Sequence, residues 1–215
     1  MTIKHHPDVA TLLSCSAGSQ PEAFAAVMAA HISMCPQCAG ALGKMDEIGC
    51  TLFEDLEPAH VKRQAPVVAS RANEATDETA PGTSRSQGDI PAPLVPILGS
   101  SLADVKWQHI GPGVWQYRIP MSKGARGDLR LLKIAPGVSM PDHGHSGTEL
   151  TLLLAGSYRD RLGHFRKGDV ADVDQDVEHQ PIADPSEGCI CLVATEGKAR
   201  FKSVLARLVQ PFIGM

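Results

Sequence analysis

The spacing of apolar positions changes once along the chain. In the first sixty or so residues they recur three and four apart. Phe24, Val27 and Met28 are followed one turn on by His31, and Leu42, Met45, Ile48, Leu52, Phe53 and Leu56 continue the same rhythm. That spacing gathers side chains on one face of a helix. It predicts a helix ending soon after His31 and a second running to about Glu57, with a further candidate helix over 7–16. Later, the runs 129–134, 150–154 and 189–194 are alternating or continuously apolar and are separated by Gly and Pro turns, which predicts strands. Between the two regimes, residues 70–89 contain no Val, Ile, Leu, Met or aromatic residue. Such a stretch buries too little apolar surface to offset its ordering entropy and reads as a linker. The expected organisation is α plus β in two domains: a helical domain over 1–65, a linker over 66–95 with room for a short partner-docking helix, and a β domain over 96–215. The last closes with a helical segment over 201–213, where Val204, Leu205, Leu208 and Val209 keep helical spacing. Proteolysis is expected first near Arg71 or Arg85.

Two constellations carry chemistry. The first is His31-x3-Cys35-x2-Cys38. Pro36 suits the first turn of a helix, so Cys35 falls beside a helix N-terminus and Cys38 one turn inside it, where the helix dipole favours both thiolates. His31 lies on the inward face of the preceding helix near its end. A fourth ligand must come from elsewhere, and His6 or its neighbour His5 can supply it. A Cys-x2-Cys pair can also be a redox dithiol, but that motif follows a strand, and none is predicted here. Two thiols and two imidazoles make a closed structural zinc site.

The second constellation is Gly137-x5-His143-x-His145-x3-Glu149-x6-Gly156. Residues two apart in a strand share a face, so His143 and His145 can both aim inward, with Glu149 following from the next strand between two glycine turns. His179 lies eleven residues beyond Gly168 and can complete a shell of three imidazoles and one carboxylate. Zn, Mn, Fe, Ni and Cu all accept such a set.

Residues 137–156 resemble the first motif of the cupin family at every spaced position. Residues 168–183 resemble its second motif in part, with Asp174 and Asp176 where the family carries proline and glycine before the last histidine, and Ala183 where it carries asparagine. The helical segment resembles the zinc-binding anti-sigma domain family, whose His-x3-Cys-x2-Cys motif and earlier histidine map onto His31, Cys35, Cys38 and His6. The joint resemblance covers most of the chain and implies a zinc-binding anti-sigma factor with a C-terminal cupin jelly-roll barrel. It further implies a second divalent metal, zinc by family habit, at His143, His145, Glu149 and His179. The implied partner is one group IV (ECF) sigma factor, held inactive by the helical domain, with the cupin domain needed for the response to photooxidative stress and singlet oxygen. The competing reading is a cupin metal-dependent oxidoreductase or dioxygenase, for which the separate zinc domain has no use.

Composition narrows the rest. A formal net charge of −4 over 215 residues disfavours unspecific binding to nucleic acid. No run of 18 apolar residues suggests a membrane span and the first thirty residues lack a signal-peptide layout. Six cysteines, two of them assigned to zinc, suit a reducing cytoplasm. Cys189 and Cys191 share one face of a strand and are expected as small buried hydrophobes. Cys15 and Cys50 are expected in the helical core, and His109 and His164 have no spaced partner. No phosphate-binding Gly loop or serine nucleophile motif is present. The helical domain carries more apolar surface than a sixty-residue core needs, and a partner is expected to take the surplus.

Overall fold

The computed structural model describes residues 2–54, 56–57, 88–197 and 199–201. Three helices open it: α1 (Val9–Ser16), α2 (Glu22–Met34) and α3 (Pro36–Glu54). The first starts two residues later than its pattern suggests because Asp8 caps it, accepting from the Thr11 backbone N–H at 2.6 Å. Cys35 adopts extended backbone, φ −113° and ψ 99°, and ends α2, while Pro36 opens α3. The two helices therefore meet at 115°.

Past residue 87 the chain resumes against α2. Ile90 and Leu94 are fully buried there, on a 3₁₀ turn (Ala92–Leu94) that leads into the single-turn α4 (Val95–Leu98). The end of the expected linker, 88–95, is thus packed, because apolar residues return at Ile90 as soon as the polar stretch stops. Its earlier part, with Arg71 and Arg85, lies outside the described residues, as does the helical segment expected over 201–213 apart from Phe201, which ends a strand instead.

The remaining strands are β1 (Gln108–Gly111), β2 (Val114–Arg118), β3 (Asp128–Ile134), β4 (His143–His145), β5 (Glu149–Asp160), β6 (Gly163–Arg166), β7 (Val170–Val173), β8 (Ile182–Ala183), β9 (Cys189–Thr195) and β10 (Ala199–Phe201). All pairings are antiparallel. The main path runs β1-β2-β3-β9-β5-β6, β7 and β8 also pair with β5, and β10 pairs with β4. Gly156 was expected to close a turn, yet it lies inside β5, which runs on to Asp160. Its φ is +65° and a Cβ there would collide with the Gly188 carbonyl, so the strand passes its neighbour only because this residue is glycine.

Side-chain alternation gives this sheet two buried faces. Leu132, Ile134, Leu153, Cys189, Cys191 and Val193 point into the barrel, where they pack with Met140, Tyr158 and Phe165. Leu129, Leu131, Leu150, Leu152, Leu154, Leu192 and Ala194 point the other way and form one core with Phe24, Val27 and Met28 of α2 and with Ile90 and Leu94. The run 150–154 is buried at every position for this reason, Thr151 included. Much of the helical region's surplus apolar surface is therefore consumed by the barrel of the same chain.

Candidate metal centres

The junction of α2 and α3 gathers the first site. One ligand atom each from His6, His31, Cys35 and Cys38 lies within 4.8 Å of all the others. Nδ1 of His6 stands 3.4 Å from the Cys35 sulfur and 3.3 Å from that of Cys38. His5 does not join them. Its ring packs on Phe165 at a centroid distance of 4.3 Å, because adjacent residues of an extended segment face opposite ways. His31 places Nδ1 at 2.9 Å from the Gly168 carbonyl oxygen and donates its proton there, which leaves Nε2 as a bare acceptor. That Nε2 is buried and has no hydrogen-bond partner. A buried acceptor facing two thiols and a second imidazole suits a cation, and four nitrogen and sulfur donors fit one bound tetrahedrally.

The ionisation pattern agrees. Burial lowers the pKa of His31, so its ring is neutral at neutral pH. Burial, followed by the hydrogen bond with Cys35, pushes the Cys38 thiol up to about 12. An arriving cation would reverse that preference and displace the proton.

The second site lies inside the barrel. His143 and His145 leave the same face of β4, and His179 is bridged to His143 through backbone hydrogen bonds of 3.1 and 2.9 Å. The three rings bring one nitrogen each within 4.8 Å. Outer partners orient two of them: Nδ1 of His143 lies 2.8 Å from the Pro141 carbonyl and Nδ1 of His179 lies 2.9 Å from the Asp160 carboxylate, so both turn Nε2 inward. Nε2 of His145 stands 3.2 Å from Nε2 of His179. Burial lowers the pKa of both His143 and His145, which keeps them neutral. Glu149 stands outside the cluster of three. Its Oε2 is 3.4 Å from Nδ1 of His145 and its Oε1 accepts from the Thr151 hydroxyl at 3.0 Å. Asp174 and Asp176 still form a turn before His179, with the Asp176 N–H donating to the Asp174 carboxylate at 2.9 Å.

Residues 99–199 match the family model described as the ChrR cupin-like domain. The chain is 40% identical over 213 residues to the anti-sigma-E factor ChrR of Cereibacter sphaeroides, covering 99% of each chain. The chain belongs to the ChrR family of anti-sigma factors. It also superposes, with a TM-score of 0.75 and 39% identity, on the crystal structure of Rhodobacter sphaeroides SigE in complex with the anti-sigma ChrR, covering 90% of this chain and 99% of that one.

In this member of the ChrR family, three residues support the sites without any local sequence signal. Asp160 and Gly168 each hold the outer nitrogen of a histidine, from 19 and 137 positions away. Asp169 fixes the segment that carries His6, accepting from the backbone N–H groups of Lys4 and His5. The remaining cysteines divide. Cys189 and Cys191 are buried in the barrel wall as expected, while Cys15 is half-buried and Cys50 is exposed. The expectation of a buried Cys50 fails because, among the described residues, none covers the second half of α3, where it sits; the buried residue of that helix is Cys38, in its first turn.

Proposed function

We propose that the protein is an anti-sigma factor that binds one group IV (ECF) sigma factor through its helical region and withholds it from RNA polymerase. His6, His31, Cys35 and Cys38 hold a structural zinc ion that fixes the angle between α2 and α3. His143, His145 and His179, with Glu149 as the fourth ligand, hold a second divalent metal, zinc by resemblance, in the barrel. The barrel governs release under photooxidative stress, with singlet oxygen as the inducing signal. The protein then acts in the cytoplasm with RNA polymerase; among the described residues no single helix is long and apolar enough to cross a membrane.

One observation carries this reading. With the inner face of α2 consumed by the barrel, the remaining apolar surface collects on α1, on α3 and just past its end: Val9, Leu13, Ile48, Leu52, Phe53 and Leu56 are all more than half exposed, Leu52 reaching 72%. Large apolar side chains left exposed in this number on two helices in contact with each other mark a protein-binding face. The related ChrR was crystallised with SigE. The test is co-purification with a group IV sigma factor followed by transcription in vitro. A one-to-one complex that blocks transcription is expected, and normal transcription at saturating protein would overturn the reading. The barrel's three clustered imidazoles also suit a metal-dependent oxygenase. Turnover of a small substrate by the purified protein, abolished by His143→Ala, would move it to the enzymes.

A further inference from the structure

The four donors of the first site are held from two different directions. Cys35 and Cys38 belong to the α2–α3 junction. The imidazole of His31 and the backbone just before His6 are fastened instead to the barrel, at the turn over residues 167–169 between β6 and β7. The Gly168 carbonyl takes the Nδ1 proton of His31 at 2.9 Å. The Asp169 carboxylate, only 3% exposed, accepts from the N–H groups of Lys4 at 2.7 Å, His5 at 3.1 Å and Arg166 at 2.8 Å. The Val170 N–H then donates to the His5 carbonyl at 3.1 Å, so the segment just before His6 is laid along the start of β7. Gly168 takes a φ of +91°, and a Cβ there would press into Ile3 and Met34, so the turn is also in tight apolar contact with the helical region.

This turn is continuous with the second site. β7 pairs with the first residues of β5, with Val173 opposite Glu149 and Val170 opposite Leu152. Glu149 in turn stands against the ring of His145.

We propose that Gly168 and Asp169 are positioning residues of the helical region's metal site, so that the barrel sets how firmly that metal is held. A displacement of the barrel turn draws two imidazoles away from two thiolates and opens the coordination shell, without any ligand being modified. Groups that orient metal-bound histidines typically change metal affinity or activity 10- to 100-fold when removed. The proposal rests on the reading that His6, His31, Cys35 and Cys38 bind a metal.

The experiment compares Asp169→Ala with Glu22→Ala in the full chain. Glu22 also clamps the two regions, its carboxylate accepting from the Ser122 N–H at 3.0 and 3.1 Å, but it lies nine residues before the nearest ligand, His31. Each protein is loaded with cobalt(II), and loss of the thiolate-to-cobalt charge-transfer absorption is followed after addition of a chelator. That absorption reports the cysteine site alone, because the barrel site has no thiolate. Asp169→Ala is expected to lose cobalt about 10- to 100-fold faster than wild type, and Glu22→Ala at close to the wild-type rate. Equal loss from both variants would mean that contact between the regions matters in general, and would overturn the proposal; so would a wild-type rate in Asp169→Ala. Should Asp169→Ala fail to fold, Asp169→Asn, which keeps one acceptor, is expected to fall between the two rates, and a wild-type rate there would overturn the proposal equally. If the wild-type chain shows no thiolate-to-cobalt absorption at all, the metal reading itself fails.

Discussion

The carboxylate of Asp160 has no exposed surface, and its Oδ2 lies 2.9 Å from Nδ1 of His179, whose own side chain is 2% exposed. The pair fixes both the tautomer and the aim of an imidazole that points its other nitrogen at the barrel site. Asp160→Ala is therefore expected to weaken metal binding in the barrel by about 10- to 100-fold. Titration with a competing chelator measures it, and an unchanged affinity would show that backbone pairing with His143 is enough to position His179.

Replacing both Cys35 and Cys38 with Ser removes two of four donors from the helical site. The doubly substituted chain is expected to retain one metal per molecule instead of two and to lose sigma-factor binding, since metal binding and local folding are coupled. Elemental analysis decides the first point. Full metal content would refute the assignment.

The metal-free chain is expected to be most stable between about pH 6.5 and 9, bounded by groups on either side of neutrality. His31, His143 and His145 have pKa values lowered from 6.5 by burial, so the unfolded chain takes up protons first and stability is lost as pH falls below that value. Cys38 is raised from 9.0 to about 12, so its contribution is intact below 9.0 and lost as pH climbs toward 12. Zinc reverses the thiol side. Its binding displaces about two protons, so affinity should increase with pH between 6.5 and 8. Melting curves with and without chelator test both limbs, and a metal-bound chain whose stability gain is independent of pH would contradict the thiolate assignment.

Leu52 and Phe53 are 72% and 70% exposed on the uncovered end of α3. Leu52→Asp and Phe53→Asp are expected to weaken sigma-factor binding at least tenfold, as buried apolar anchors do when removed. Thermal stability should change little, since exposed substitutions usually lie within about 0.5 kcal/mol. A loss of stability matching the loss of binding would indicate misfolding instead of a contact face.

Because α2 and the barrel share one core, cutting the chain at a protease site introduced after Arg71 should leave two fragments that still migrate together on size exclusion. Leu152→Asp, on the shared face and fully buried, should separate them. Fragments that part without the substitution would show that the shared core is too weak to hold the halves.

The legible parts of the protein were those whose information is local. His31, Cys35 and Cys38 sit within two helix ends, and His143 and His145 on one strand, so spacing alone brings their donors together. His179 was readable despite Asp174 and Asp176, because aspartate closes the turn as proline and glycine would. What spacing could not give was whatever depends on the packing of one half against the other. His6 and not His5 stands in the cluster with His31, Cys35 and Cys38, because Phe165 takes the ring of His5. The burial of Ile90 and Leu94 was hidden by the polar run beside them. The support given by Gly168 comes from a backbone carbonyl, which carries no side-chain identity for a pattern to register.

The two-faced strand β5 also fixes an order of events in the cell. During synthesis α2 is complete long before β5 and β9 exist, and at about 5 to 20 residues per second the ribosome needs roughly ten to thirty seconds to add the intervening chain. Throughout that interval Phe24, Val27 and Met28 lack the β5 and β9 side chains that complete their cover in the finished fold. The nascent helical region is then at its stickiest, and a waiting sigma factor or a chaperone meets a broader apolar surface than the finished protein ever displays.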